Sequence, residues 1–238
     1  MSETEGMVLA AGLGSRMRPI TDTLPKPLVP VSGQPLIDHV FDRAVASGLR
    51  RLVVNAHHLP DQVETHVAAR NDIKTVISDE RDALLETGGG LKKALPLIGS
   101  DPFFVFNSDC LWIDGASALI PSMIRGWDPA RMDMLLALAP TVTSVGYHGQ
   151  GDFDLKSDGR LVRRGEKTVA PFVYMGVALM KKRVFEDTPD GPFSLNLIFD
   201  RLLEEDTLYG MRLDGLWMHV GTPEAIAEAE GAIAESAA

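Results

Sequence analysis

Short apolar runs of Val, Ile, Leu and Phe alternate with stretches of helical periodicity through the first 140 residues, and few architectures accept that rhythm. Residues 7–11, 52–55, 75–78 and 103–107 read as strands, residues 35–47, 61–70, 91–97 and 116–127 as helices, and 134–139 as a further strand. Four strand-helix units and a fifth strand predict an α/β protein with a mostly parallel, doubly wound sheet. Ligands of such sheets lie beyond the carboxyl ends of the strands, so the loops at Gly12, Ser78 and Asp109 are expected to share one rim. After Pro140 the texture turns Gly-rich and polar. Residues 152–155 and 161–162 read as a hairpin around Ser157-Asp158-Gly159, 172–180 as a returning strand, 194–204 as a helix and 208–220 as one last extended segment. An inserted β-rich part at 141–221 is thus expected on a core at 1–140. Thr222-Pro223-Glu224 supplies an N-cap, a first-turn proline and an early acid, opening a final helix over 222–238 of a single domain.

Composition narrows the function. A net charge of -10 repels a phosphate backbone over most of the surface, which excludes a general nucleic-acid binder. The single cysteine, Cys110, forms no internal disulfide and belongs to no zinc cluster, as suits a reducing compartment. Residues 1–6 lack the basic start of an export signal, and the apolar runs fall short of the roughly 18 residues of a membrane span. A cytoplasmic protein without a membrane partner is expected.

The connection from residue 12 to residue 34 is long, and such loops are functional or disordered. Prolines at 19, 25, 27 and 30 fix φ and argue against disorder. Gly12 and Gly14 let backbone N–H groups approach a phosphate, while Arg16, Arg18 and Lys26 against Asp22 leave a local charge of +2. An anion is the expected guest; a Gly turn with solvated charges is the alternative for Gly-x-Gly alone. Met17 stands where a dinucleotide fingerprint needs its third Gly, and no Gly-Lys-Ser/Thr follows at P-loop spacing, so both common nucleotide motifs are excluded.

Asn107-Ser108-Asp109 closes an apolar strand and puts a carboxylate where a magnesium ion bridges phosphates; the plainer reading is a turn or cap. In Leu84-Leu85-Glu86-Thr87-Gly88-Gly89-Gly90 the glycines permit a base or ribose to lie on bare backbone, or simply a flexible helix entry. Cys110 has no basic partner nearby in sequence and reads as a small buried residue. His57, His58 and His66 lack the spacing of a helical zinc pair and are assigned no role.

Leu9-Ala10-Ala11-Gly12-Leu13-Gly14-Ser15-Arg16-Met17-Arg18-Pro19, with Pro25-Lys26-Pro27-Leu28, resembles the signature of the sugar-1-phosphate nucleotidyltransferases. The resemblance implies a Rossmann-like domain of the nucleotide-diphospho-sugar transferase fold, which joins a nucleoside triphosphate to a sugar 1-phosphate and releases pyrophosphate. It implies that Arg16 holds the departing pyrophosphate and Lys26 the phosphates. Ala10, Ala11, Gly12, Gly14 and Ser108 then lie at the nucleotide, and Asp109 holds Mg2+, or Mn2+ in its place. The segment at 84–90 resembles the base-recognition loop of the N-acetylmuramate-1-phosphate uridylyltransferases, which puts Gly88 and Glu80 near the base. Thymidylyl-transferring relatives carry Gln where Glu80 roughly falls, so that loop leaves the base open.

Gly151-Asp152-Phe153, Glu166-Lys167 and Tyr174-Met175-Gly176 fall where the family arranges its sugar contacts, making Asp152, Glu166, Lys167 and Gly176 the implied sugar-phosphate residues. Thr168 replaces the usual proline after Glu-Lys, and a solvated hairpin charge pair is the alternative. Trp217-Met218-His219-Val220-Gly221-Thr222-Pro223 resembles the family's Trp-x-Asp-Val-Gly-Thr-Pro, with His219 in place of the second metal-binding aspartate. That exchange removes a negative charge and offers a softer nitrogen donor. His219 reads as a metal ligand, as a hydrogen-bond partner of a metal-bound water or phosphate, or as a structural histidine. The resemblance as a whole implies UTP and N-acetylmuramate 1-phosphate as substrates in cell-wall recycling, used by a monomer or small homo-oligomer. Mannose-1-phosphate guanylyltransferase and a non-catalytic sugar-nucleotide sensor are the alternatives.

Overall fold

A computed structural model of the chain describes residues 4–236, so the acidic start at residues 1–6 and the final helix at 222–238 extend partly outside the described residues. Strand β1 (Gly6–Leu9) leads into the long loop, which folds as three short 3-10 turns and ends in a small hairpin, β2 (Pro30–Val31) and β3 (Gln34–Pro35). The alternation continues through α1 (Leu36–Ala46), β4 (Arg51–Ala56), α2 (Pro60–Ala68), β5 (Lys74–Asp79), α3 (Glu86–Ala94) and β6 (Phe103–Asn107). These strands pair in parallel in the order β5-β4-β1-β6. The chain steps outward from β1 to β5 and then returns to the other side of β1. The crevice beyond β1 and β6 is therefore the switch point at which a doubly wound sheet binds its ligand.

Burial on both faces explains the continuous apolar runs. In β6, Phe104 and Phe106 join a core with α1, α2 and α4 (Leu119–Gly126), while Phe103 and Val105 face α3 and α5 (Asn196–Glu204). The later strands are β7 (Cys110–Asp114), β8 (Met134–Pro140), β9 (Phe153–Leu155), β10 (Leu161–Arg163), β11 (Phe172–Met180), β12 (Leu208–Arg212) and β13 (Gly215–His219). Most of them extend the first sheet. β11 lies antiparallel between β6 and β8, β12 runs parallel to β8, and the β9–β10 hairpin joins β11 through Phe153 and Phe172.

Two sequence expectations are corrected. The extended segment at 208–220 is two strands, β12 in the main sheet and β13 paired antiparallel with β7 in a separate ribbon. The helix expected at 91–97 begins at Glu86, with all three glycines inside it. The last helix, α6 (Pro223–Ser236), begins as expected, and Thr222 Oγ1 accepts a hydrogen bond from the Ala225 N–H. A third core joins Met17, Val29 and Val31 of the loop to Met218, Val220 and Ala229 near the other end of the chain.

Candidate active site

A cavity of about 480 Å3 opens where the carboxyl ends of β1, β4 and β6 meet, within the range of small-molecule sites. Ala10, Ala11, Gly12, Gly14, Arg16, Lys26, Ser108 and Asp109 all line it, so the residues singled out near the first and fourth strands converge on one space. The first loop is built rather than loose. Met17 is fully buried, Thr21 Oγ1 donates to the Gly14 carbonyl (2.8 Å), and the His58 ring bonds the Thr21 carbonyl (2.8 Å). Gly14 has φ +63°, and a Cβ there would stand 2.8 Å from Thr21 Cγ2 and 3.0 Å from Lys26 Cβ; only glycine lets the loop close this tightly.

Closure brings the Lys26 ammonium onto Asp109, with which it forms a salt bridge; their side chains are only 13% and 21% exposed. Burial alone would push the Asp109 carboxyl up, but Lys26 outweighs it, with help from His219, and holds the group below the usual carboxylate range. Asp109 is thus an anion whose partner is a cation suited to phosphate. Arg16 is exposed at the cavity wall, free of any acidic side chain among the described residues, whereas Arg18 pairs with Asp22 (3.3 Å).

His219 ends β13 beside the same wall. A side chain at Gly221 would meet His219 Nε2 at 2.7 Å and Arg16 Nη1 at 3.4 Å. Burial lowers the His219 pKa against the pull of Asp109, with Lys26 and Arg16 reinforcing, so the ring is a neutral nitrogen donor at neutral pH. Among the described residues no three His, Cys, Asp or Glu side chains gather to hold an ion unaided. Asp109 with His219 is a donor set that fits a divalent cation taking its other ligands from phosphate oxygens and water.

The base-side expectations divide. Glu80 does not line the cavity; it is fully buried behind it, with Oε1 accepting from Asn55 Nδ2 (2.7 Å) and Oε2 unpartnered. Asn55 does line the cavity, and its Oδ1 accepts the Ala10 N–H (2.7 Å), so Glu80 is linked to the start of the first loop through Asn55. Gly88 is buried in α3, where an added Cβ would meet the Phe193 ring at 2.3 Å; its N–H donates to the Phe193 carbonyl (2.8 Å). The glycine run seats α3 against the segment at 191–193 instead of baring backbone to a ligand. Leu84, Glu86 and Thr87, just before it, line the cavity. Asn55 follows the apolar run of β4 as Asn107 follows that of β6, a signal that was available in the sequence.

A second cavity, about 270 Å3, shares Leu9, Thr87, Asn107 and Ser194 with the first. Asp152 lines it, with Oδ2 accepting the Tyr174 N–H (2.9 Å). Gly176 lies at the irregularity of β11, packed on Asn107, and lines neither cavity. Glu166 and Lys167 are exposed on the turn after β10 and also line neither cavity. Arg164 organises that turn, donating to the carbonyls of Gly165, Glu166 and Thr168, and the two charges are left in solvent. Cys110 is buried with Sγ donating to the Met175 carbonyl (2.6 Å), and burial raises its thiol pKa, which suits an inert core residue.

Sequence comparison agrees with this geometry. The profile of the nucleotidyl transferase family matches residues 5–236. An N-acetylmuramate alpha-1-phosphate uridylyltransferase of Caulobacter vibrioides is 48% identical over 97% of both chains. A protein of the same description from Neisseria meningitidis serogroup B is 33% identical over 95% of this chain and 96% of its own. Among solved structures, a putative glucose-1-phosphate thymidylyltransferase from Bacillus anthracis superposes with a TM-score of 0.80 at 18% identity, covering 96% of this chain and 94% of that one, a likeness of fold. With a glycine and lysine loop closed over a strand-end carboxylate, and a family profile spanning nearly every described residue, the chain belongs to the nucleotidyl transferase family.

Proposed function

We propose that this enzyme joins UTP to N-acetylmuramate 1-phosphate, giving a UDP-sugar and pyrophosphate. The observation that carries the reading is the meeting of Lys26 and Asp109 inside a cavity lined by Gly12, Gly14 and Arg16. The two relatives above support the choice of base and sugar. Neither supports the guanylyl alternative.

An ionised oxygen of the sugar phosphate attacks the α-phosphorus in line; a new P–O bond forms as the bond to the β-phosphate oxygen breaks, and pyrophosphate leaves with that electron pair. The nucleophile is already an anion, so no general base is required, and positioning and charge stabilisation carry the catalysis. Lys26 turns from Asp109 to the phosphates, and Arg16 neutralises the departing pyrophosphate. The N–H groups of residues 11–14 orient the nucleotide, with the Ala10 N–H held by Asn55. Asp109 and His219 hold magnesium, or manganese, which when bound neutralises phosphate charge. Asp152 and the second cavity receive the sugar. No helix among the described residues is long and apolar enough to cross a membrane. We place the reaction in the cytoplasm, where nucleoside triphosphates are found, and in peptidoglycan recycling, with the enzyme a monomer or small homo-oligomer.

The deciding experiment is a panel of triphosphates against sugar 1-phosphates, read by pyrophosphate release. The fastest turnover is expected for UTP with N-acetylmuramate 1-phosphate. A maximum at GTP with mannose 1-phosphate would replace the substrates and keep the reaction. His219 favours one rival, a sensor that binds nucleotide without turnover; its signature is a ligand-induced rise in Tm with no pyrophosphate in magnesium or manganese.

A further inference from the structure

We infer that Arg163 and Tyr174 form a carboxylate-reading subsite in the second cavity, which selects a sugar 1-phosphate bearing an acid group over its neutral parent. The inference rests on the sugar-1-phosphate reading above. Arg163 ends β10 and lies in the cavity wall. Its guanidinium is fixed before any ligand arrives: Nε and Nη2 donate to Asp200 Oδ1 (3.1 and 2.5 Å), Nη2 also donates to Asn196 Oδ1 (3.3 Å), and the plane sits 5.0 Å from the centre of the Phe153 ring. Nη1 makes no hydrogen bond among the described residues. The two donors of Nη1 are therefore open on a held cation, and charge makes an anionic acceptor a better partner for them than a hydroxyl.

Tyr174 lines the same cavity, and its hydroxyl is buried with no partner among the described residues, a state that costs free energy until a ligand answers it. The ring is fixed edge-on to Phe199 at 5.4 Å, and burial raises the phenol pKa far above its ordinary value, so the group stays a neutral donor. Ser194, Leu195 and Asn196 bring the start of α5, the positive end of its dipole, to the same wall. Among the described residues Asp152 is the one acid lining this cavity; it is tied to the Tyr174 N–H through Oδ2 and has its other oxygen to accept a sugar hydroxyl. The cavity thus reads an acid with one group of donors and a hydroxyl with one acceptor.

The test compares kcat/KM for N-acetylmuramate 1-phosphate and for N-acetylglucosamine 1-phosphate, which lacks the acid, with UTP and magnesium. Wild type is expected to prefer the acid sugar. Arg163→Gln should lower that preference about tenfold or more, mainly through KM, as expected for loss of a charged hydrogen bond, and Arg163→Lys should restore part of it. Tyr174→Phe should lower it less, by about threefold. A preference untouched in Arg163→Gln and Tyr174→Phe overturns the subsite while leaving the proposed function standing. Equal losses with both sugars also overturn it, since they assign Arg163 to structure. A wild type indifferent to the acid overturns both. Should Arg163→Gln fail to fold, Arg163→Lys and Tyr174→Phe carry the same comparison.

Discussion

The loop at residues 12–30 and the turn at residues 164–169 both carry basic residues beside acidic ones, and they behave in opposite ways. The first has apolar anchors of its own in Met17, Val29 and Val31, a tight glycine at Gly14 and a side-chain latch from Thr21, so that Lys26 and Arg16 are delivered into a cavity. The second has no buried side chain between Arg164 and Val169, only the Arg164 guanidinium gathering carbonyls, and Glu166 and Lys167 remain in water. A charged residue becomes a site when packing holds it there. By that rule the first loop is organised in advance, and the turn after β10 is not.

The largest expected effects fall in the first loop. Lys26→Ala and Asp109→Asn should each reduce kcat by about a hundredfold or more with little change in Tm, as for loss of a preorganised electrostatic group; near-wild-type turnover in either would break the comparison at its stronger end. Met17→Ala removes a fully buried side chain and should cost about 2–5 kcal/mol in urea unfolding. Because Met17 holds the loop, the KM for triphosphate should rise as well, and a lost stability with unchanged KM would separate packing from site. In the turn, Lys167→Ala should change kcat/KM by less than about threefold, the scale of an exposed charge. A hundredfold loss there would mean that the turn closes over substrate.

The smallest effect lies behind the nucleotide loop. Burial, opposed by the Asn55 hydrogen bond, raises the Glu80 carboxyl above its ordinary value of 4.5, so the fold favours the protonated form. The resulting stability is complete below the unfolded value and is lost as pH rises through the folded one. Glu80→Gln carries no such loss, and its Tm relative to wild type should therefore rise as pH increases above the ordinary carboxylate range. A pH-independent difference would show that the carboxylate is accommodated without cost.

Much of this was legible in the sequence because the signals were local. The apolar runs at β1, β4, β6, β8 and β11 are buried strands, that at β5 is the half-buried edge of the sheet, and the glycine, arginine and lysine pattern of the first loop marked one wall of the cavity. β7 was hidden because Cys110 to Asp114 follows β6 after a two-residue turn and gains its identity only by pairing with β13, about a hundred residues later. Glu80 and Gly88 do not line the cavity for a related reason: their neighbours in sequence reach it, but whether they face it depends on Asn55 and Phe193 from elsewhere in the chain. Arg163 carried no local mark at all, since its setting comes from Phe153, Asn196 and Asp200.

The core that joins Met17 and Val31 to Val220 and Ala229 is reinforced where the Ser32 N–H donates to Glu230 Oε1 across 198 positions of chain. During synthesis residues 12–31 are thus made long before the helix that completes their packing. A nascent chain has its central strands well before α6 arrives to complete the packing of the first loop.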